Sequence, residues 1–270
     1  MKARVALYAV LALGAAATMF PFVWMVMTAL KTLPEATSMS LRLFPEQWQW
    51  ANFADVFRAA PFGRYFFNSF LVGLTVTGAV IVTSLMAGYA FARLQFPGKA
   101  VAFAVILATM MVPFEVTLIP NFVLIRKLGW YNTYAALIVP WCASAFSIFL
   151  MRQAFMGLPN DYFDAAKVDG CGHLRFLMRI AAPLVKPAIV TVGLFAFLGS
   201  YNSLIWPLVV TSEDSMRVVQ VGLTVFSGAE GVRLQLLMCA STIVILPTVA
   251  LYFAAQKYFL EGSLAAGIKG

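Results

Sequence analysis

The sequence predicts an all-α integral membrane protein of six transmembrane helices, and three observations predict it. Of its 270 residues, 62% are hydrophobic and only 11% charged, whereas a soluble domain carries roughly a quarter charged residues. Six stretches are long enough to cross a bilayer, which takes about 20 apolar residues. None of them alternates apolar with polar positions as a barrel strand would. Lipid offers the backbone no partners outside a helix or a closed barrel, so helices are what is left.

The first stretch, Val5–Leu30, carries no charge. Lys2 and Arg4 precede it and Ala15-Ala16-Ala17 resembles a signal cleavage site. Its apolar run nevertheless continues to Leu30, past the 7–15 residues of a signal core, so it reads as an uncleaved first helix. Residues 31–63, with Trp48, Trp50 and three acids, form a polar connector. The uncharged Tyr65–Ala92 is the second span; Ala100–Ile125, with the single acid Glu115 between Pro113 and Pro120, is the third. The fourth, Leu128–Met151, becomes apolar from Ala135, after an aromatic interfacial turn "GWYNTY" at 129–134. Pro187–Ser212 is the fifth and Leu234–Gln256 the sixth, joined by a mixed segment at 213–233. That segment either folds back toward the membrane or meets an external partner.

Charge sets the orientation. With six spans the two termini, the 2–3 loop and the 4–5 loop share one side, which holds eleven Lys and Arg (2, 4, 93, 99, 152, 167, 175, 179, 186, 257, 269) against eight on the other. Cytoplasmic loops carry the excess, so both termini are expected in the cytoplasm. The overall surplus of 19 Lys and Arg over 11 Asp and Glu has the same origin. It is not a nucleic-acid footprint, since no basic run is interleaved with stacking aromatics.

Chemistry of its own is not expected. Cys142, Cys171 and Cys239 are too few and scattered for a disulfide framework or a metal site. A lone His173 anchors no triad. There is no G-x-x-x-x-G-K-[ST] phosphate loop, so any ATP used is bound by another chain.

Against this apolar background stands "DAAKVDGCGHLRFLMRIAAP" at 164–183. Pro159 ends the fourth helix and Asn160 is placed to cap a new one. Asp161 and Asp164 lie at its start, where negative charge suits the helix dipole. Gly170 is placed to stop it in the left-handed conformation. A second short helix follows, with Leu174, Leu177, Met178 and Ala181 as its apolar stripe and Arg175 and Arg179 on another face; Pro183 and Pro187 close the segment. This elbow is either an interfacial connector resting on headgroups or a docking surface, which Ala165-Ala166 and Gly170 would keep free of bulk.

The spacing Asp164-Ala165-Ala166, three residues, Gly170, nine residues, Ile180, one residue, Ala182-Pro183 resembles the EAA loop (E-A-A…G…I-x-L-P) of permease subunits of ABC importers. "GYAFARLQFPG" (88–98), "YNSLIWPLVV" (201–210) and the tail "QKYFLEGSLAAGIKG" (256–270) are similar to the carbohydrate, maltose-type branch of that family. The resemblance covers residues 62–270, with residues 1–61 as the extra first helix and external connector. It implies a type I ABC importer transmembrane domain over 62–260, with the elbow at 159–183 as coupling helix and a cytoplasmic tail at 261–270.

It further implies that Asp164, Ala165, Ala166, Asp169, Gly170, Ile180 and Pro183 couple the chain to partner ATPases, which bind ATP and Mg. A second homologous permease, a dimer of ATPase subunits and an extracytoplasmic solute-binding protein are the implied partners, in the inner membrane of a bacterium or archaeon. The implied solute is a sugar or oligosaccharide, or glycerol phosphate. Asp164 stands where the family has Glu, and Ala182 where it has Leu. Glu115, Tyr201 and Asn202 are candidates for the translocation path. Glu115 also supports the alternative of a proton-coupled secondary carrier, because an acid within a span is a functional suspect.

Overall fold

The computed structural model describes residues 2–39, 42–228 and 231–267. Residues 268–270 of the expected tail, Lys269 among them, lie outside the described residues.

Among the described residues three helices are long and apolar enough to cross a membrane: Arg4–Ala29, Phe62–Arg93 and Leu234–Gln256. They lie within α1 (Lys2–Ala29), α4 (Phe62–Arg93) and α15 (Leu234–Gly267). The other expected spans are broken. The third is α5 (Lys99–Thr109) followed by α6 (Phe114–Lys127), bent by 96°. The fourth is α7 (Tyr134–Ile138) with a 3-10 turn to Trp141, then α8 (Ala145–Met156), bent by 40°. The fifth is α12 (Lys186–Tyr201) and, past a break, α13 (Ile205–Val210).

Proline accounts for two of the breaks. It lacks the N–H that would bond four residues back, and its ring clashes with that carbonyl. α5 ends at Thr109, four residues before Pro113, and the gap at 202–204 contains Ser203, four residues before Pro207. Pro21, Pro120 and Pro247 are carried inside helices, so a proline by itself does not decide.

Two compact units divide the chain: residues 1–65 with 219–249, and residues 66–218 with 250–270. In the first, the expected polar connector folds into α2 (Leu33–Thr37) and α3 (Ala51–Ala59). Buried Asn52 ties it down by donating to the carbonyls of Ala29 and Lys31. Lys31, 2% exposed, reaches the Arg42 carbonyl at 2.6 Å and lies over the Trp24 ring. The later part of the 213–233 segment forms α14 (Val219–Leu223), a 3-10 turn and a minimal hairpin of β1 (Ser227–Gly228) with β2 (Gly231–Val232).

The second unit holds α8, the elbow and α12. α4 and α8 approach closely at Gly88: a methyl group there would lie 2.7 Å from Met151 Cβ and 2.9 Å from the Arg152 nitrogen. Small residues permit such contacts between membrane helices. Asn68, fully buried, accepts from the Tyr134 hydroxyl and donates to the carbonyls of Ser215 and Arg217. Asn132, at φ +59°, accepts from the Ser212 and Glu213 nitrogens. These two amides pin the start of the 213–233 segment.

Candidate functional site

The elbow is built as two helices at a glycine. α9 (Asn160–Val168) ends at Asp169, and Gly170 takes φ +67°. The Cys171 nitrogen donates to the Ala166 carbonyl at 2.8 Å and the Gly170 nitrogen to the Lys167 carbonyl at 3.0 Å. These are the two bonds of a Schellman stop, which requires the left-handed residue that glycine supplies. The start differs from expectation. Pro159 holds the cap position and Asn160 is the first helical residue; its side chain accepts from the Arg93 guanidinium instead.

The second helix runs as α10 (His173–Phe176), a wide turn over Leu177–Ala181 and α11 (Ala182–Leu184). The Ala182 nitrogen bonds the Leu177 carbonyl five residues back, and Pro183 next to it has no N–H to give. The buried face is narrower than the expected stripe. Phe176, Leu177, Ala181 and Val185 are buried, while Leu174 is 67% and Met178 58% exposed. The expected stripe of Leu174, Leu177, Met178 and Ala181 is thus split, half inward and half outward. Arg175 and Arg179 are exposed too.

The coupling candidates divide in the same way. Asp164, Ala165, Asp169, Gly170 and Pro183 are exposed, Ile180 is half-buried, and Ala166 is buried in the core. The outward surface also presents Val168, 88% exposed. It therefore combines small and apolar side chains with Asp161, Asp164 and Asp169. No ion pair engages Asp164 among the described residues.

Beneath this surface the elbow is fastened. His173 Nδ1 and the Tyr89 hydroxyl are hydrogen-bonded at 3.0 Å, in a direction set by the imidazole tautomer. Phe163 stacks on His173 and meets Phe176 edge-on, and Lys167 lies over the Phe163 ring. At the end of α4, Arg93 donates to the carbonyls of Phe155 and Leu158 and to the Asn160 side chain. It thereby satisfies carbonyls at the end of α8, which a helix C-terminus leaves open, and grips the first residue of α9. Arg152 donates to the Phe91 carbonyl and covers the Phe103 ring. Tyr89, Arg93 and His173 were not among the expected site residues. The visible signal was "GYAFAR" itself, in which a tyrosine and an arginine close an otherwise uncharged span.

The path candidates do not gather at one point. The second unit contains a cavity of about 630 Å³ whose lining includes Asn202, Ser203, Trp141 and Phe114. Tyr201 is 1% exposed and its ring packs with Phe70 and Phe197. Glu115 is exposed in the first turn of α6. A carboxylate is favoured at a helix N-terminus, which gives it a role that needs no proton relay.

Residues 79–261 match the protein family described as "Binding-protein-dependent transport system inner membrane component". The arabinooligosaccharides transport system permease protein AraQ of Bacillus subtilis (strain 168) is 33% identical over 255 residues, covering 93% of this chain and 91% of that one. The sn-glycerol-3-phosphate transport system permease protein UgpE of Yersinia enterocolitica is 30% identical, covering 94% of each chain. The lactose transport system permease protein LacG of Rhizobium radiobacter is also 30% identical, over 96% of this chain and 94% of that one. In fold, the chain is similar to a chain of a bacterial ABC transporter involved in the import of the acidic polysaccharide alginate. The TM-score there is 0.83 at 21% identity, over 94% of this chain and 95% of that one.

Proposed function

Because this chain belongs to the family of binding-protein-dependent transport system inner membrane components, as an ABC importer permease and not itself an enzyme, we propose that partner ATPases drive it through its elbow to carry a sugar or oligosaccharide. Glycerol phosphate, the solute named for one relative, is the second solute class. The observation that carries the coupling is the outward face of the elbow. Ala165 and Gly170 keep it low, Val168, Leu174 and Met178 make it apolar, and Asp164 and Asp169 give it charge. Exposed apolar side chains set among charges are what a partner site presents.

Asp164 is the residue for an arginine on the ATPase, and being one methylene shorter than Glu it needs a closer approach or a bridging water. Ala166 and Ile180 support the surface from below, and Pro183 ends it. The ATPases bind ATP and Mg, and their closure on ATP pushes the elbow. The push is transmitted because the elbow cannot slide independently: Arg93 joins it to α4 and α8, and Tyr89–His173 joins its second helix to α4. Rigid-body rocking of the permease is the expected consequence. A second permease subunit and an external solute-binding protein complete the assembly. A periplasmic protein of that kind is present in the solved alginate transporter complex, whose similar chain has a TM-score of 0.64 to this one.

Purification of the tagged chain in mild detergent tests this. It is expected to bring a different permease and two copies of an ATPase. A monodisperse protein that transports alone would refute the reading. The charge bias supports a cytoplasmic elbow, so a membrane-impermeant thiol reagent should reach Cys171 from inside and a cysteine at Ser215 from outside. The reverse pattern would remove the elbow from any ATPase.

A further inference from the structure

Three helix breaks in the second unit open onto one cavity. Phe114 is the first residue after the α5–α6 break. Ala143 and Ser144 are in the break before α8, and Asn202, Ser203 and Leu204 are the break between α12 and α13. All six line the cavity of about 630 Å³. Irregular backbone at membrane depth is tolerated where it is buried in protein or lines a water-filled cavity, and discontinuous helices form solute sites in other transporters. The volume falls within the roughly 300–1,000 Å³ of small-molecule sites.

The lining has a definite chemistry. Five serines and Asn202 supply hydroxyl and amide groups, and Phe114, Trp141, Phe146, Phe195 and Trp206 supply aromatic faces. Among the described lining residues there is no Asp, Glu, Lys, Arg or His. The N-terminus of α8, which would otherwise attract an anion, is capped by the Ser144 hydroxyl accepting from the Ser147 nitrogen. An anionic solute would therefore lose water here without gaining a cation. A pyranose or furanose would stack its apolar face on the rings and exchange hydroxyl bonds with serine and amide groups.

We propose that this cavity is a solute site held by this subunit itself, and that the solute is an uncharged saccharide. The proposal rests on the importer reading and narrows it, setting glycerol phosphate and acidic sugars aside.

The test uses the full transporter, with its co-purified permease, ATPases and binding protein. ATP-driven uptake is measured for labelled neutral mono-, di- and trisaccharides, lactose and arabinotriose among them, and for sn-glycerol 3-phosphate and a uronate disaccharide. Gly199 lines the cavity with open space where a side chain would project, so Gly199→Phe fills it. Wild type is expected to carry a neutral saccharide. Gly199→Phe should fall at least tenfold at equal membrane level.

A second measurement does not depend on the fold of that variant. In a background lacking the three native cysteines, Ser203→Cys is reacted with a small thiol reagent. The carried saccharide should slow the reaction at least threefold and glycerol phosphate should not. Uptake of an anionic solute in place of a saccharide overturns the proposal. So does saccharide uptake that Gly199→Phe leaves unchanged, or a Ser203→Cys reaction that the carried saccharide does not slow, as when lipid or the partner permease occupies the cavity. Absence of ATP-driven uptake of any solute in the panel would instead overturn the importer reading on which the proposal stands.

Discussion

Gly170 offers a graded perturbation, because its backbone and its surroundings make different demands. At φ +67° an L-residue with a Cβ costs about 1–2 kcal/mol, and Asn less than most. A Cβ built there meets nothing within 4 Å, so within this chain the cost is strain and not collision. Strain of that size shifts the population of the intact stop by about five- to thirtyfold. Gly170 is also exposed, so any side chain protrudes from the face assigned to the ATPase. Gly170→Ala probes mainly strain, Gly170→Asn mainly protrusion, and Gly170→Leu both. In ATP-driven uptake, corrected for membrane level, Ala and Asn should each retain part of the activity and Leu less than a tenth. The chain should still insert, since the spans are untouched. Wild-type uptake by Gly170→Leu at wild-type level would refute both the stop and the docking role.

Gly88→Leu should prevent accumulation of folded protein, because its Cβ would collide with backbone and Cβ atoms of α8. Overpacking costs about 1–3 kcal/mol even where side chains can yield; membrane level and detergent melting temperature check it. Arg93→Met removes three donations that join α4, α8 and α9, a loss of roughly 2 kcal/mol for a half-buried guanidinium. Protease cleavage within 157–170 should accelerate and uptake per ATP hydrolysed should fall, with Arg93→Lys intermediate. Glu115→Gln should lower uptake only modestly and leave it unresponsive to a pH gradient. The substitution keeps the shape while removing a charge that the N-terminus of α6 favours by about 0.3–1 kcal/mol. A pH-gradient response in wild type that the variant loses would restore the proton-carrier alternative.

What the sequence disclosed was what local chemistry decides. The glycine stop at 170 is a six-residue motif whose bonds lie between near neighbours, and it forms where expected. The long apolar runs gave α1, α4 and α15 for the same reason. Breaks in the spans are hard to read because apolar composition does not change across a break, and prolines of equal appearance follow breaks at 113 and 207 yet sit inside unbroken helices at 21 and 247. The apolar stripe of the elbow was read as one face, but Leu174 and Met178 turn outward while Leu177 and Ala181 are buried, because periodicity marks apolar positions and not how wide a strip the packing covers. Asn68, Asn132, Tyr89 and Arg93 act through partners distant in sequence, which no local pattern could pair. Tyr201, a neighbour of Asn202, is packed in an aromatic stack, so adjacency along the chain did not mean a shared site.

ATP dependence is the most direct measurement of the central claim. Proteoliposomes are made with the purified complex or with this chain alone. Uptake of a labelled saccharide delivered by the binding protein is followed with ATP, with a non-hydrolysable analogue, and with a pH gradient only. The account predicts accumulation by the complex with ATP, none with the analogue or the gradient, and none for the chain alone. Accumulation by the chain alone, or by the complex on a pH gradient without ATP, would contradict it.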